Sequence, residues 1–251
     1  MSDTDLLLRE DKPGGIAIVT LNRAPVNALS PALLMEFGAL MDQLAADDAV
    51  RAVVIRSAFK VFSAGLDLKE AQGFDLAAQQ AVVEGLNTGF LRLFACPKPT
   101  VAALGGAAIA GGLFFGLASD MRVATPRAQL GLAEVRVGVD FPVGPMEIAR
   151  ATLSPEMLRR LMLSGQPIGA ETAARAGIVD TLAEEGELME TALSTAHGLA
   201  GHPPRAYAAV KRQIRGDTIA RIEAAIAAGA NAPEDGWFTD ETTAAMRRMI
   251  G

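Results

Sequence analysis

Cysteine is close to absent from this chain: Cys96 is the only one in 251 residues. Neither an internal disulfide nor a cysteine-based zinc site can therefore form within one chain, and a reducing compartment fits best. Histidine is limited to His197 and His202. There is no His-Glu-x-x-His, no Gly-x-Ser-x-Gly and no Gly-Lys-Ser/Thr loop, so metal and serine-hydrolase mechanisms have no motif to rest on. Positive charge is short as well. The net charge is -6 and no basic stripe stands out, whereas general nucleic-acid binding rests on clustered Lys and Arg that neutralise phosphates. A small ligand is expected, and no nucleic acid. The opening Met1-Ser2-Asp3-Thr4-Asp5 lacks the basic start of a secretory signal and the Arg-rich character of a transit peptide, so a cytoplasmic protein is expected.

Hydrophobic residues make up 50% of the chain and charged ones 21%, enough for one substantial core with a smaller appended lobe. The most informative stretch runs from Pro99 to Asp120. Its residues Pro99 to Ser119 carry no charge and match a membrane span of roughly 20 residues in length. Glycines at 105, 106, 111, 112 and 116 argue against a span, because glycine weakens a helix. A fully buried strand, a glycine-rich turn and a buried helix start explain the run better. No membrane partner is expected.

Short β-rich runs at Ile16–Leu21, Ala52–Ile55, Thr100–Leu104 and Met121–Ala124 alternate with helical patterns, which predicts an α/β fold. Between the first two runs, Leu33, Leu34, Phe37, Leu40, Met41 and Leu44 recur at helical spacing behind Ser30-Pro31, an N-cap followed by a first-turn proline. From about Pro155 helical patterns dominate. His202-Pro203-Pro204 and Asn231 to Gly236 are turn signals between those helices, and no tandem repeat is visible. The division expected is a core over residues 1–190 and a helical lobe over 191–251.

Two glycine elements bear on function. In Val61-Phe62-Ser63-Ala64-Gly65-Leu66-Asp67-Leu68-Lys69-Glu70, Asp67 and Glu70 form a capping-box-like helix start with the Leu66 N–H just ahead of it. Gly111 and Gly112 precede Leu113-Phe114-Phe115, so the Gly111 N–H falls at the positive end of a second helix. Two such donors converging make an oxyanion hole. The alternative is that both turns only let tightly packed backbone change direction.

Read with their flanks, these segments resemble the crotonase family, the enoyl-CoA hydratase/isomerase superfamily. The resemblance runs from Pro25-Val26-Asn27-Ala28-Leu29-Ser30 through Phe62 to Leu68, Ala110-Gly111-Gly112 up to Asp120, and Ala133-Glu134-Val135-Arg136-Val137-Gly138. It continues into Leu163 to Ile168 and Ala173 to Asp180. It implies a spiral of ββα turns with a C-terminal helical oligomerisation lobe, an acyl-CoA thioester as substrate, and assembly as a homotrimer or dimer of trimers. The N–H groups of Leu66 and Gly111 would hold the thioester oxygen. Val26, Ala28, Ala64, Gly65, Leu66, Asp67, Leu68, Gly111 and Phe114 match positions that line the substrate site. No metal or redox cofactor is implied; CoA enters as part of the substrate.

Hydratases of this family carry carboxylates at the positions of Glu134 and Phe114, and the apolar ring at 114 removes half of that machinery. The delta-3,delta-2-enoyl-CoA isomerases look like this chain instead, with one glutamate matching Glu134 and an apolar residue matching Phe114. Glu134 would act as both base and acid in a dry pocket walled by Leu132, Val135 and Phe114, with its pKa raised by desolvation. A surface glutamate is the bland reading of the same residue. Asp140 departs from the isomerase pattern; it caps a following helix together with Pro142, or it is a second acid that would allow hydration or another crotonase reaction. Trp237-Phe238-Thr239-Asp240 and Arg247-Arg248 resemble the region from which a neighbouring subunit covers acyl-CoA in relatives, although the aromatic pair also reads as core. Lys60, Lys69, Lys211 and Arg247 each read as solvated charges, and none is assigned to the CoA phosphates. Acyl chain length is expected to depend on the packing of about Phe74 to Phe94. A non-catalytic CoA-binding subunit is the alternative from a different class.

Overall fold

The computed structural model describes residues 5–250, which leaves Met1 to Thr4 of the acidic opening outside it. In chain order the elements begin with β1 (Leu7–Lys12), β2 (Ile16–Leu21), α1 (Pro31–Ala46), β3 (Ala52–Ser57), α2 (Leu68–Ala71) and α3 (Leu76–Glu84). A π-helical turn, Gly85–Gly89, joins α3 to α4 (Phe90–Ala95), and β4 (Thr100–Leu104) and β5 (Ala108–Ile109) follow. A 3-10 turn, Ala110–Leu113, leads into α5 (Phe114–Leu117), β6 (Met121–Ala124), β7 (Gln129–Gly131), α6 (Glu134–Val137), α7 (Val143–Thr152) and α8 (Pro155–Ser164). The chain closes with β8 (Ile168–Gly169), α9 (Ala170–Arg175), β9 (Thr181–Leu182), α10 (Leu188–Ala200), α11 (Pro204–Ala227) and α12 (Asp240–Ile250).

One sheet has the order β1-β2-β3-β4-β6-β9, with β1 antiparallel to β2 and every other pairing parallel. A second, smaller sheet, β5-β7-β8, is continued by the single bridges Ser63 to Ala108 and Leu29 to Leu66. Each turn of the chain thus leaves a strand in the first sheet and a short extended piece in the second, the spiral that the resemblance implies. The strands β2, β3 and β4 are buried on both faces, so they read as unbroken apolar runs. Ala17, Val19, Val53, Ile55, Ala102 and Leu104 face the main core. Ile16, Ile18, Ala52, Val54, Val101 and Ala103 face a second layer, an alternation set by the two-residue period of a strand.

The α1 cap forms as expected: the Ser30 Oγ accepts from the Leu33 N–H at 3.2 Å, with Pro31 at the first helical position. Leu33, Leu34, Phe37, Met41 and Leu44 are buried in the main core, while Leu40 is only partly covered. The uncharged run from Pro99 to Ser119 becomes β4, β5, the 3-10 turn and α5, and among the described residues no helix is long and apolar enough to cross a membrane. The second layer is α10, whose Ala192 and Ala196 pack on β2, β3 and β4. The division expected at 190/191 falls inside α10, so the first helix of the expected lobe is part of the sheet's packing.

The helix α11 is fastened to β4 and β6 through Asp120. Its carboxylate accepts from Lys211 Nζ at 2.8 Å, the Tyr207 hydroxyl at 2.9 Å and the Thr100 N–H at 2.9 Å, and it pairs with Arg215 at 3.0 Å. Lys211 is therefore a buried structural charge, correcting the solvated role expected for it. Removing one member of a buried ion pair leaves its partner uncompensated, at about 3–5 kcal/mol. Asp120→Ala is expected to destabilise the fold by that amount in urea unfolding; a loss below about 1 kcal/mol would show the cluster to be incidental.

Candidate active site

The site grows from two turns that touch. In the first, Gly65 has a φ of +81°, a conformation that favours glycine. A Cβ there would fall 2.9 Å from both the Ile109 carbonyl oxygen and the Ala110 Cβ, and 3.6 Å from the Gly111 N. The second turn therefore lies directly against the first. It carries its own strain, since Ala110 sits at a φ of +51°, rare for a residue with a side chain. Gly112 is fixed by packing, because a Cβ there would meet the Ser63 Cβ at 2.6 Å. Asp67 caps α2, accepting from the Lys69 and Glu70 N–H groups. Glu70 does not complete a capping box: it pairs with Arg23 at 2.8 Å, and the Asp67 N–H goes to the Leu29 carbonyl instead.

The backbone pairing around Leu66 uses the N–H groups of Leu29 and Asp67, not that of Leu66. Gly111 enters the 3-10 turn too early to find an acceptor within it. Neither N–H donates to any acceptor among the described residues. Both residues line a cavity of about 730 Å³, mouth included, together with Ala64, Leu68, Phe114 and Glu134. Leu29, Leu86, Ile109, Val137, Val139 and Phe141 complete most of the apolar wall, and Trp237, Met246 and Met249 close it from the C-terminal side. The wall is held by its neighbours. Beside Leu86, the buried Asn87 accepts from the Gly144 N–H at 2.8 Å and fixes the start of α7. At Gly138, φ +71°, the backbone approaches α12 so closely that a Cβ would lie 3.2 Å from Thr242 N.

Among the described residues, Glu134 is the sole ionisable one lining this cavity. It opens α6 rather than alternating outward from a strand, it is 6% exposed, and its Oε2 has no hydrogen-bond partner among the described residues. Burial of the charged form, weakly opposed by its own backbone N–H, pushes its pKa from 4.5 up to about 8. A carboxyl held this way costs stability. The folded state keeps a proton that the unfolded chain releases above pH 4.5, so stability falls as pH rises to about 8 and is level beyond. At about 1.4 kcal/mol per pH unit, the cost is on the order of 3 kcal/mol by pH 7. Glu134→Gln is expected to melt above the wild type, with a gain that grows between pH 5 and 8; a gain independent of pH would refute the desolvated carboxylate.

Of the residues expected at the site, Ala64, Leu66, Leu68, Gly111, Phe114 and Glu134 meet around the cavity. Val26, Ala28, Gly65 and Asp67 do not line it. Val26 and Ala28 instead hold its frame, the Val26 carbonyl accepting from Ala64 N–H and that of Ala28 from Arg23. Two wall residues need correction: Val135 is 49% exposed, because the next position on α6 turns outward, and Leu132 is buried in the core away from the cavity. Asp140 does not cap α7. Pro142 occupies the N-cap position with no side-chain bond to the helix, and the exposed Asp140 carboxylate accepts from the Trp237 indole at 3.1 Å. Trp237, expected to cover the substrate of a neighbouring subunit or to lie in the core, lines this chain's own cavity; Met246 and Met249 carry no expectation from the sequence beyond their i, i+3 spacing on α12.

A two-sheet spiral whose touching turns leave two amides free beside one desolvated carboxylate defines a crotonase-fold protein. Residues 11–245 match the enoyl-CoA hydratase/isomerase family. A short-chain-enoyl-CoA hydratase of Clostridium acetobutylicum is 30% identical over 248 residues, 96% of this chain and 93% of that one. A putative enoyl-CoA hydratase of Thermus thermophilus is 34% identical over 205 residues, 80% of this chain and 81% of that one. The structure of human mitochondrial delta3-delta2-enoyl-CoA isomerase aligns with a TM-score of 0.88 at 27% identity, covering 98% of this chain and 96% of that one. The chain belongs to the enoyl-CoA hydratase/isomerase family.

Proposed function

We propose that this protein is an acyl-CoA isomerase that moves a double bond from the 3 to the 2 position of an enoyl-CoA. The observation that carries the reading is that, among the described residues, Glu134 brings the one carboxyl to an apolar cavity that Phe114 also lines. With the thioester oxygen at the Leu66 and Gly111 N–H groups, the ionised Glu134 takes a proton from C2. The electron pair moves onto the thioester oxygen as a dienolate, where two fixed donors are worth most because the surrounding wall is apolar. The protonated Glu134 then returns the proton to C4, leaving the conjugated product and a carboxylate. A carboxylate whose conjugate acid has a pKa near 8 takes the C2 proton more readily than an ordinary one and holds it until C4 accepts it. The chemistry calls for no metal or redox group.

The names of the relatives favour a hydratase. Against that stands the cavity itself, where among the described residues no second ionisable one accompanies Glu134 to help activate a water and protonate the neighbouring carbon. Incubating 3-enoyl and 2-enoyl thioesters in oxygen-18-labelled water separates the two. Isomerisation gives 2-enoyl-CoA with no label, and labelled 3-hydroxyacyl-CoA as the main product would overturn the proposal. The reading includes assembly as a homotrimer or pair of trimers, for which Leu163 on α8 and Val210 and Ile214 on α11 leave apolar surface.

A further inference from the structure

Beyond the catalytic cavity lies an open groove whose lining includes Val83 and Val143 together with Asp140, Thr239 and Glu241. The two hollows share Val139, Phe141, Pro142 and Trp237, so these side chains are the partition between them. Trp237 is the largest of the four and the one whose pose is pinned. Its indole N–H donates to the Asp140 carboxylate at 3.1 Å and carbonyl at 3.3 Å, and its backbone N–H donates to Gln79 at 2.9 Å. The Trp237 side of the cavity suits a hydrocarbon. A pantetheine carries amides that need partners, and the cavity residues around the indole, Val139, Phe141, Pro142, Met246 and Met249, carry no polar side chain.

Resting on the acyl-CoA reading of the site, we propose that Trp237 is a specificity-determining residue: it walls off the outer groove and limits the length of acyl chain the cavity accepts. Short and medium acyl groups end against the indole. Removing it joins the two hollows and lets a longer chain run on over Val83 and Val143. Each methylene newly buried is worth about 0.8 kcal/mol, roughly fourfold in affinity, and the open groove buries each only in part.

The test is the dissociation constant of saturated acyl-CoAs, from butyryl to palmitoyl, measured by calorimetry on wild type, Trp237→Ala and Asp140→Asn. Saturated chains are not turned over, so the result does not depend on which reaction the enzyme performs. For Trp237→Ala, dodecanoyl-CoA is expected to gain about tenfold relative to hexanoyl-CoA, with an unchanged circular-dichroism spectrum and a cooperative melt as the sign of an intact fold. Asp140→Asn, which weakens the hold on the indole, is expected to show a smaller shift in the same direction. An unchanged length profile in both variants would overturn the proposal while leaving the isomerase reading in place. Failure of the wild type to bind any acyl-CoA would overturn both.

Discussion

Glu134→Gln is expected to lower turnover of 3-enoyl-CoA by about a thousandfold or more while leaving the dissociation constant of a saturated acyl-CoA within a few fold. General acid–base work by one positioned group is commonly worth about 10²–10⁴, and here the same group carries both proton transfers. The amide cannot accept the C2 proton, yet it fills the same space in the cavity wall and removes only a charge that the fold was already disfavouring. Activity and stability are therefore expected to move in opposite directions in this one variant, which separates a lost proton carrier from a damaged fold. Retention of a tenth or more of the wild-type rate would place the base elsewhere.

Gly65→Ala is expected to cost about a hundredfold to a thousandfold in kcat, the range typical of losing one oxyanion donor. The new Cβ would stand 2.9 Å from the Ile109 carbonyl oxygen and the Ala110 Cβ, and the backbone would be held at a φ of +81°, which disfavours a side chain by about 1–2 kcal/mol. The turn can relieve the clash only by moving away from the one that carries Gly111. Both amides stay in the molecule, but their spacing changes. A variant with wild-type kcat and altered stability alone would show that the two turns serve packing and not the substrate.

How far the sequence could be read followed from how local each feature is. The strands β2, β3 and β4 stood out because burial on both faces leaves them almost no polar residue, and α1 because Ser30 and Pro31 mark its start in the chain itself. The turn at Gly65 and the one at Gly111 were legible as pieces; their contact is a property of the fold. Glu134 opens a helix of only four residues, too short for any periodicity to separate inward from outward, so the sequence does not distinguish Val135, which is exposed, from a wall residue. Asp140 was misread because an Asp ahead of a proline resembles a cap, while its true partner, Trp237, lies 97 residues away. Lys211 was misread for the same reason, its partner Asp120 being 91 residues distant.

The proton's path can be followed with a 3-enoyl-CoA deuterated at C2 and turned over in ordinary water, with the product examined by mass spectrometry and NMR. A carboxyl that takes the deuteron in a dry cavity and hands it back is expected to leave deuterium at C4 of the 2-enoyl product, beyond the level in an uncatalysed control. Product with no deuterium at C4 would mean that the proton delivered there comes from solvent, contradicting a direct return by Glu134 in a cavity closed to water.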